Sequence, residues 1–234
     1  MDTRFSLCNC STLAIIAEIY IRNGQCDKAT EALMAGLKRE PYDADLVPVL
    51  IKLAIRAKAP SSKKTPALDS SVINALGACL TCVNSVAEVE AKEKGENKES
   101  KTAIIASELG PLMDAFVVNF EVKAKEVRSL PHLIAAAKCM VLVSSTPTPP
   151  TVKDAVAALF SISLLSGRGV SISTATAALA FLQSTFGVES DVTMAFDALV
   201  KDAYPLYIVF QSGSACTIKV GGVEKGVFEK GVSS

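Results

Sequence analysis

Apolar positions recur along most of the chain with the spacing of an amphipathic helix. Between residues 69 and 90 the large apolar side chains form a single stripe that consists of Val72, Ile73, Leu76, Leu80, Val83 and Val86. This period of about 3.6 residues predicts an α-helix. The same spacing predicts helices over residues 11–22, 27–41, 45–58, 104–120, 129–143, 151–165, 173–186 and 190–203. We therefore expect an all-α fold, in which Gly110-Pro111 kinks or splits one helix.

The first two predicted helices match a known helical repeat. In a frame of about 34 residues, small and large apolar side chains fall at the expected positions. These positions are Leu13, Ile16, Ala17, Tyr20, Ala29, Leu33 and Gly36, with Pro41 closing the second helix. Ser11 and Asp27 are the expected N-caps, and Asn23-Gly24 is the expected turn. The pattern is typical of a tetratricopeptide repeat and predicts a short right-handed α-solenoid of helix pairs.

Breaks in the apolar pattern divide the chain into four stretches. They are 1–58, with the repeat and a following helix; 59–128, a helical region; 129–210, a C-terminal helical repeat region; and 211–234, an irregular tail. Residues 91–101 are almost entirely Lys, Glu, Asn, Gly and Ser, with little to bury. We expect that segment to be an exposed, mobile loop.

The composition of the chain argues against nucleic-acid binding and against membrane-spanning segments. With 234 residues, of which 50% are apolar, the chain is long enough to bury a sizeable core. Lys plus Arg equals Asp plus Glu at 24 each, so there is no excess positive charge to hold nucleic acid or an anionic membrane. The apolar runs at 133–143 and 154–165 are too short to span a bilayer, and the first residues lack the features of a signal peptide. A cytoplasmic location is expected.

The cysteine pattern favours buried, reduced thiols. Cys26, Cys79 and Cys139 each fall within an apolar helical stretch, where a thiol packs as a small apolar side chain. Cys79 and Cys82 have the spacing of a redox or zinc pair, but no second ligand pair accompanies them. Core packing is the favoured interpretation, and a thiol-dependent enzyme is a distant third hypothesis.

The other candidates for chemistry are weak. Cys8-x-Cys10 has only one histidine in the chain to help it hold a metal, so no metal site is expected. That histidine, His132, lies in the first turn of a predicted helix, which favours a structural hydrogen bond over catalysis. Ser166-Gly167-Arg168-Gly169 lacks the lysine and the preceding strand of a phosphate loop. The sequence therefore predicts no catalytic residue and no bound cofactor.

One segment resembles a known family. Residues 129–140 read Ser-Leu-Pro-His-Leu-Ile-Ala-Ala-Ala-Lys-Cys-Met, in which the matching residues are Ser129, Leu130, Pro131, His132, Ala136, Ala137 and Lys138. This resembles a segment near the C-terminus of the large auxiliary subunit of N-terminal acetyltransferase A. Residues 17–22 and 204–210 resemble two further segments of that subunit, in the same order.

The resemblance implies a noncatalytic scaffold. In that family, tetratricopeptide helices wrap a small catalytic subunit, which binds acetyl-coenzyme A, and help to tether the complex to the ribosome. The chain would then support co-translational N-terminal acetylation with a catalytic partner and further upstream repeats. The alternative is a generic helical-repeat adaptor that holds a peptide or helix in a concave groove.

Overall fold

Helices make up nearly all of the fold. The computed structural model describes residues 8–58, 68–89, 108–144, 148–166, 170–204, 219–220 and 223–224. The helices are α1 (Cys10–Arg22), α2 (Cys26–Leu37), α3 (Leu46–Lys58), α4 (Ser70–Val89), α5 (Leu109–Val127), α6 (Leu130–Val143), α7 (Pro150–Ser166), α8 (Ile172–Phe186) and α9 (Asp191–Ala203). Two strands, β1 (Lys219–Val220) and β2 (Val223–Glu224), pair in antiparallel fashion. The all-α prediction is confirmed at the level of fold class.

The turn between α1 and α2 forms where the sequence predicts it. Gly24 adopts a positive φ of 77°, a conformation that glycine reaches without steric cost. The backbone N–H of Gln25 donates to the carbonyl of Tyr20, and that of Gly24 donates to the carbonyl of Ile21. These two bonds define a Schellman motif, which satisfies the last carbonyls of α1 and reverses the chain.

Both predicted N-caps of the first helix pair are wrong by two residues. The side chain of Asn9 accepts a hydrogen bond from the Thr12 backbone N–H at 2.7 Å, so Asn9 caps α1 and Ser11 lies inside the helix. Gln25 occupies the N-cap position of α2 without a side-chain hydrogen bond, and Asp27 lies in the first turn. There its carboxylate still interacts favourably with the positive, N-terminal end of the helix dipole.

The carboxylate of Asp43 organises the start of α3. Its Oδ1 accepts hydrogen bonds from the backbone N–H groups of Asp45 and Leu46, each at 2.9 Å. The sequence offers Asp43 and Asp45 as alternative caps of this helix, and Asp43 is the residue that caps it. Pro48 lies in the first turn and is buried, where its missing N–H leaves no intrahelical bond unmade.

The predicted kink at Gly110-Pro111 is replaced by a helix start. Helix α5 begins at Leu109, so Pro111 occupies the first turn, where the backbone N–H groups have no intrahelical acceptor. The preceding apolar positions of the predicted helix, Ile104 and Ile105, lie outside the described residues, as does the expected loop at 91–101.

Helices α5 and α6 are joined by two residues only. Arg128 ends α5 in the left-handed region, with φ 51° and ψ 42°, and its N–H donates to the carbonyl of Ala124. Ser129 follows in an extended conformation and precedes Leu130, the first residue of α6. A non-glycine residue in this conformation carries a steric cost of about 1–2 kcal/mol, which the tight turn imposes.

Helices α8 and α9 begin with side-chain caps. Ser171 and Thr174 form a reciprocal capping box at the start of α8, and Ser190 accepts from the Thr193 N–H at the start of α9. Gly167 and Gly187 stand where the sequence predicts glycines that end helices. Gly187, with φ 91°, ends α8, and Gly167 lies outside the described residues.

Helix α6 lies at the centre of the packing. It packs against α3, α5, α7 and α8, and α9 packs against α7 and α8. Its buried residues are Leu130, Leu133, Ile134, Ala135, Ala136, Ala137 and Cys139. Helices α3 and α6 belong to successive helix pairs, so their contact fits the scheme in which each unit of a solenoid contacts only its neighbours.

Two further expectations concern the tail and membranes. Most of the predicted segment at 205–234 lies outside the described residues; the part that is described pairs Lys219 with Glu224 and Val220 with Val223. Across the helices that the structure describes, none is both long enough and apolar enough to cross a membrane.

Candidate functional site

The repeat positions lie at the interface of the first three helices. Leu13, Ala17, Ala29 and Leu33 have no exposed surface, while Ile16, Tyr20 and Pro41 are half-buried. Gly36 is buried where α2 approaches both α1 and α3: a Cβ at Gly36 would collide with Leu46 Cδ1 and would lie 3.4 Å from Leu13 Cδ1. These residues pack the first three helices together. The candidate site lies on the neighbouring, exposed surface of α1 and α3.

Paired side chains connect α1 with α3 at a constant interval. The Ser11 hydroxyl donates to Asp45, and Lys52 Nζ donates to Glu18 Oε1 at 2.5 Å; each pair is 34 residues apart. The Arg56 guanidinium donates to the carbonyl of Ile21, 35 residues away. Residues of α1 and α3 that are 34 or 35 positions apart in the sequence therefore lie side by side.

The carboxylate of Glu18 interacts with several positively charged side chains on this surface. The hydrogen bond from Lys52 is the main reason that the pKa of Glu18 lies below its ordinary value; partial burial opposes the shift, and the charges of Lys52, Arg22 and Lys138 assist it. Arg22 Nη2 lies 3.8 Å from Glu18 Oε2. Glu18 is consequently ionised in a neighbourhood that contains three cations.

A groove between α1, α3, α6 and α8 contains this cluster. It encloses about 420 Å³ of space. Its charged residues are Glu18, Asp45, Lys52 and Lys138, and its apolar lining consists of Ala14, Ile15, Ala44, Pro48, Val49, Val141, Leu142 and Phe181, with Ser11 at one edge. Sequence reasoning did not identify the groove, although the 34-residue interval between Glu18 and Lys52 was a usable signal.

The segment that carries the family resemblance becomes the start and middle of α6. Pro131 occupies the first turn, Ala136 and Ala137 have no exposed surface, and Leu130 is fully buried. Lys138, by contrast, is exposed and lines the groove. The small buried residues allow the neighbouring helices to approach α6 closely, and Lys138 is the residue of this segment that is available to a ligand.

The predicted structural hydrogen bond of His132 is not present at its Nδ1. That atom is buried and has no hydrogen-bond partner among the described residues. Ser129, three residues earlier, makes no side-chain capping bond to α6. His132 therefore contributes packing at the start of α6 and leaves one buried nitrogen unsatisfied.

The cysteines predicted to be buried are buried. Cys26, Cys79 and Cys139 are at most 7% exposed, and Cys26 and Cys139 are outside disulfides. Burial raises the pKa of Cys26 and raises the pKa of Cys139 to about 12. Both thiols are thus protonated and unreactive at neutral pH. The side chain of Cys82 lies outside the described part of α4.

One cluster has the composition of a metal site. Cys10 Sγ and carboxylate oxygens of Glu40 and Asp43 lie within 4.8 Å of one another. Burial and then the nearby carboxylates raise the pKa of Cys10, which keeps the thiol protonated, and the Asp43 carboxylate already accepts two backbone hydrogen bonds. Capping of α3 therefore accounts for the position of the Asp43 carboxylate in this cluster.

The exposed apolar residues of α1 differ from those expected. If the face of α1 that carries Leu13, Ile16 and Tyr20 had no neighbour, these side chains would be exposed, but Leu13 is fully buried and the other two are half-buried. Instead Ile15 and Ile19 are 61% and 50% exposed. The expectation was wrong because α2 and α3 cover the predicted face and leave the adjacent one open.

In comparisons with known proteins, no family model, no curated protein and no solved structure matches the chain.

Proposed function

We propose that the protein is a noncatalytic scaffold that binds other proteins through a tetratricopeptide-like, right-handed helical surface. The observation that carries this proposal is the interval of 34 residues between Ser11 and Asp45 and between Glu18 and Lys52. This interval equals the period of the tetratricopeptide repeat. Helical repeats of this kind form concave surfaces that bind peptides and helices, and the groove beside α1 and α3 has that form.

The more specific proposal comes from the resemblance of residues 129–140, 17–22 and 204–210 to the auxiliary subunit of N-terminal acetyltransferase A. Under this proposal the protein acts in the cytosol, near the ribosome, beside a catalytic subunit that binds acetyl-coenzyme A. Lys138, which lies in the resembling segment, also lines the groove. One residue thus connects the resemblance with a surface that can bind a partner.

The second candidate is a helical-repeat adaptor for a different partner. The mixed lining of the groove favours it, because apolar walls with a few charged groups are typical of peptide-binding surfaces. The two candidates share the scaffold role and differ in the identity of the partner.

Reconstitution separates these candidates from each other and from an enzyme. The purified full chain is mixed with the catalytic subunit, with and without the upstream repeats of the auxiliary subunit, and complex formation is measured by light scattering after size exclusion. Acetyl transfer to a peptide with an N-terminal Ser or Ala is assayed in parallel. Under the acetyltransferase proposal we expect a complex to form, and we expect acetyl transfer only when that complex is present.

Other results of the same experiment have distinct meanings. Turnover by the isolated chain contradicts the scaffold role. A folded chain that binds neither the catalytic subunit nor the upstream repeats contradicts the acetyltransferase proposal, and affinity purification followed by mass spectrometry then identifies the partner of an adaptor.

A further inference from the structure

Helix α9 carries apolar side chains on two opposite sides. Its buried side packs against α7 and α8. On the other side Met194 and Leu199 are 58% and 41% exposed, and Ala195 and Ala198, which lie between them in the sequence, are exposed too. Exposed apolar side chains that adjoin one another on one helix face are typical of a surface that binds another protein.

A carboxylate lies at each end of this apolar stretch. Asp191, Ala195, Ala198 and Asp202 have the spacing i, i+4, i+7 and i+11, which places them in one row along the helix. Asp191 and Asp202 are both exposed, and at about 1.5 Å per residue their Cα atoms are about 16 Å apart along the axis. The α9 face is defined here as this row and the two large apolar side chains that flank it, Met194 and Leu199.

The charges around the α9 face are predominantly negative. Within 148–204 the described residues include five carboxylates and two lysines, a net charge of −3. Lys201 Nζ lies 2.6 Å from Asp197, and Lys153 Nζ lies 3.9 Å from Asp191. Each lysine thus accounts for one carboxylate, and three negative charges remain in excess. The five carboxylates are those of Asp154, Glu189, Asp191, Asp197 and Asp202.

The position of Asp202 adds to the attraction for a cation. Asp202 lies in the last turn of α9, where the negative end of the helix dipole disfavours a carboxylate. Asp191 lies in the first turn, where the dipole stabilises it. A positive group of a partner at the C-terminal end of α9 would therefore interact favourably with both Asp202 and the dipole.

We infer that the α9 face binds an amphipathic helix of a partner protein, which carries a lysine or arginine at each end of an aliphatic stripe. The small side chains of Ala195 and Ala198 allow such a helix to approach α9 closely. Its aliphatic stripe then covers Met194 and Leu199, while its two cations meet the carboxylates at the ends of the row.

Other occupants do not match both features of the α9 face. A second copy of this chain would place carboxylate against carboxylate, whether the two α9 helices run parallel or antiparallel. An anionic membrane or a nucleic acid is repelled by the excess negative charge. A free cation satisfies the carboxylates but leaves Met194 and Leu199 exposed to water.

This inference goes beyond the proposed function. No residue of α9 lines the groove between α1, α3, α6 and α8, so the α9 face is a second, separate binding surface. It depends neither on the interval of 34 residues nor on the identity of a catalytic subunit.

Three fluorescent peptides, capped at both ends, test the inference. The first is Ala-Gln-Lys-Ala-Gln-Ala-Leu-Ala-Gln-Leu-Ala-Gln-Ala-Lys-Gln-Ala, in which the lysines and leucines form one stripe of a helix with the spacing of the row on α9. The other two have Gln or Glu in place of both lysines. Binding to the full chain is measured by fluorescence polarisation at low ionic strength. We expect the Lys peptide to bind about tenfold more tightly than the Glu peptide, with the Gln peptide between them, and the difference should shrink as salt is added.

A pair of charge variants locates the binding site. Asp202→Lys is expected to reduce the preference for the Lys peptide over the Glu peptide by about threefold or more, because one end of the α9 face changes sign. Asp114→Lys makes the same charge change at an exposed position of α5, outside the α9 face. It is expected to leave the preference unchanged.

A second pair of variants tests the apolar contact. Met194→Ser is expected to weaken the binding of all three peptides by a similar factor, because the leucines lose the side chain that they cover. Val118→Ser removes an apolar side chain of α5 that is 59% exposed, and it is expected to leave the binding of all three unchanged.

The inference is overturned if the folded wild-type chain binds the three peptides equally or binds none of them. It is also overturned if Asp202→Lys and Asp114→Lys have the same effect. Self-association of the chain in sedimentation velocity that Met194→Ser abolishes and Val118→Ser does not would overturn it as well, because a second copy would then occupy the α9 face.

Discussion

Gly36 on α2 lies directly against the side chain of Leu46 on α3, and a Cβ at this glycine would collide with Leu46 Cδ1 and lie 3.2 Å from Cδ2. Leu46 has no exposed surface, so its side chain has little room to move away. Gly36→Ala should therefore lower the free energy of unfolding by about 1–2 kcal/mol, because the cost of overpacking exceeds the gain in helix propensity. Urea denaturation measures the change.

Gly110→Ala is the matched control for this prediction. Gly110 is also a buried helical glycine, but a Cβ there would meet only the flexible end of Lys58, an exposed side chain. We expect its free energy of unfolding to stay within about 0.5 kcal/mol of the wild type. Equal losses for the two variants would show that the contact between Gly36 and Leu46 is not tight.

The Glu18–Lys52 pair should make a small, pH-dependent contribution to stability. Since the pKa of Glu18 is lowered in the folded state, its contribution is present above the ordinary Glu pKa and is lost as the pH falls through the folded value. Both side chains are a third or more exposed, so Glu18→Gln should cost less than about 1 kcal/mol at pH 7. The cost should shrink as the pH falls below the ordinary Glu pKa, as followed by urea denaturation across the range.

A double-mutant cycle isolates the pair from its surroundings. Lys52→Gln and the double variant complete the cycle, and the coupling energy should be favourable and should decrease with added salt. A coupling of zero at low salt would mean that the 2.5 Å contact contributes nothing to stability.

Arg128 offers a test of backbone strain at the turn between α5 and α6. Its left-handed conformation is accessible to glycine without steric cost, whereas alanine retains the cost. Arg128→Gly should consequently be more stable than Arg128→Ala by about 1 kcal/mol, even though both variants lose the same side chain. Thermal unfolding of the two variants side by side measures this difference, and the opposite order would remove the argument for strain.

The buried nitrogen of His132 predicts a stabilising substitution. A buried polar group without a partner costs about 1–3 kcal/mol, and an apolar side chain of similar size avoids that cost. We expect His132→Leu to raise the free energy of unfolding by about 1 kcal/mol. A loss of that size, measured in urea, would indicate that the imidazole makes a hydrogen bond after all.

Cys139 should make the protein sensitive to alkaline pH. Its pKa is raised to about 12 in the folded state by burial, so its contribution to stability is present below the unfolded thiol pKa and is lost as the pH rises toward 12. Above about pH 9 the wild type should lose up to about 1.4 kcal/mol per pH unit more than Cys139→Val does. Urea denaturation under reducing conditions at several pH values measures both slopes, and parallel slopes would contradict the prediction.

Local patterns were sufficient to predict the helices. The stripe from Val72 to Val86 and the Asn23-Gly24 turn depend on residues that are near one another in the chain. The sequence alone therefore predicts the helix and the turn that they form. The errors are local as well. Asn9 rather than Ser11 caps α1, and both residue types are favoured at this position, so the pattern alone does not distinguish them.

The sequence by itself thus determined the helical fold class, the approximate ends of the helices and the buried role of residues such as Ala17 and Leu33. Periodicity and capping operate over a few residues, which is why they can be recognised without the fold. Only the tertiary structure placed α6 against α3 and so brought Lys138 to the same groove as Ile15 and Glu18. Which helix faces meet depends on contacts between distant parts of the chain, and no local pattern encodes them.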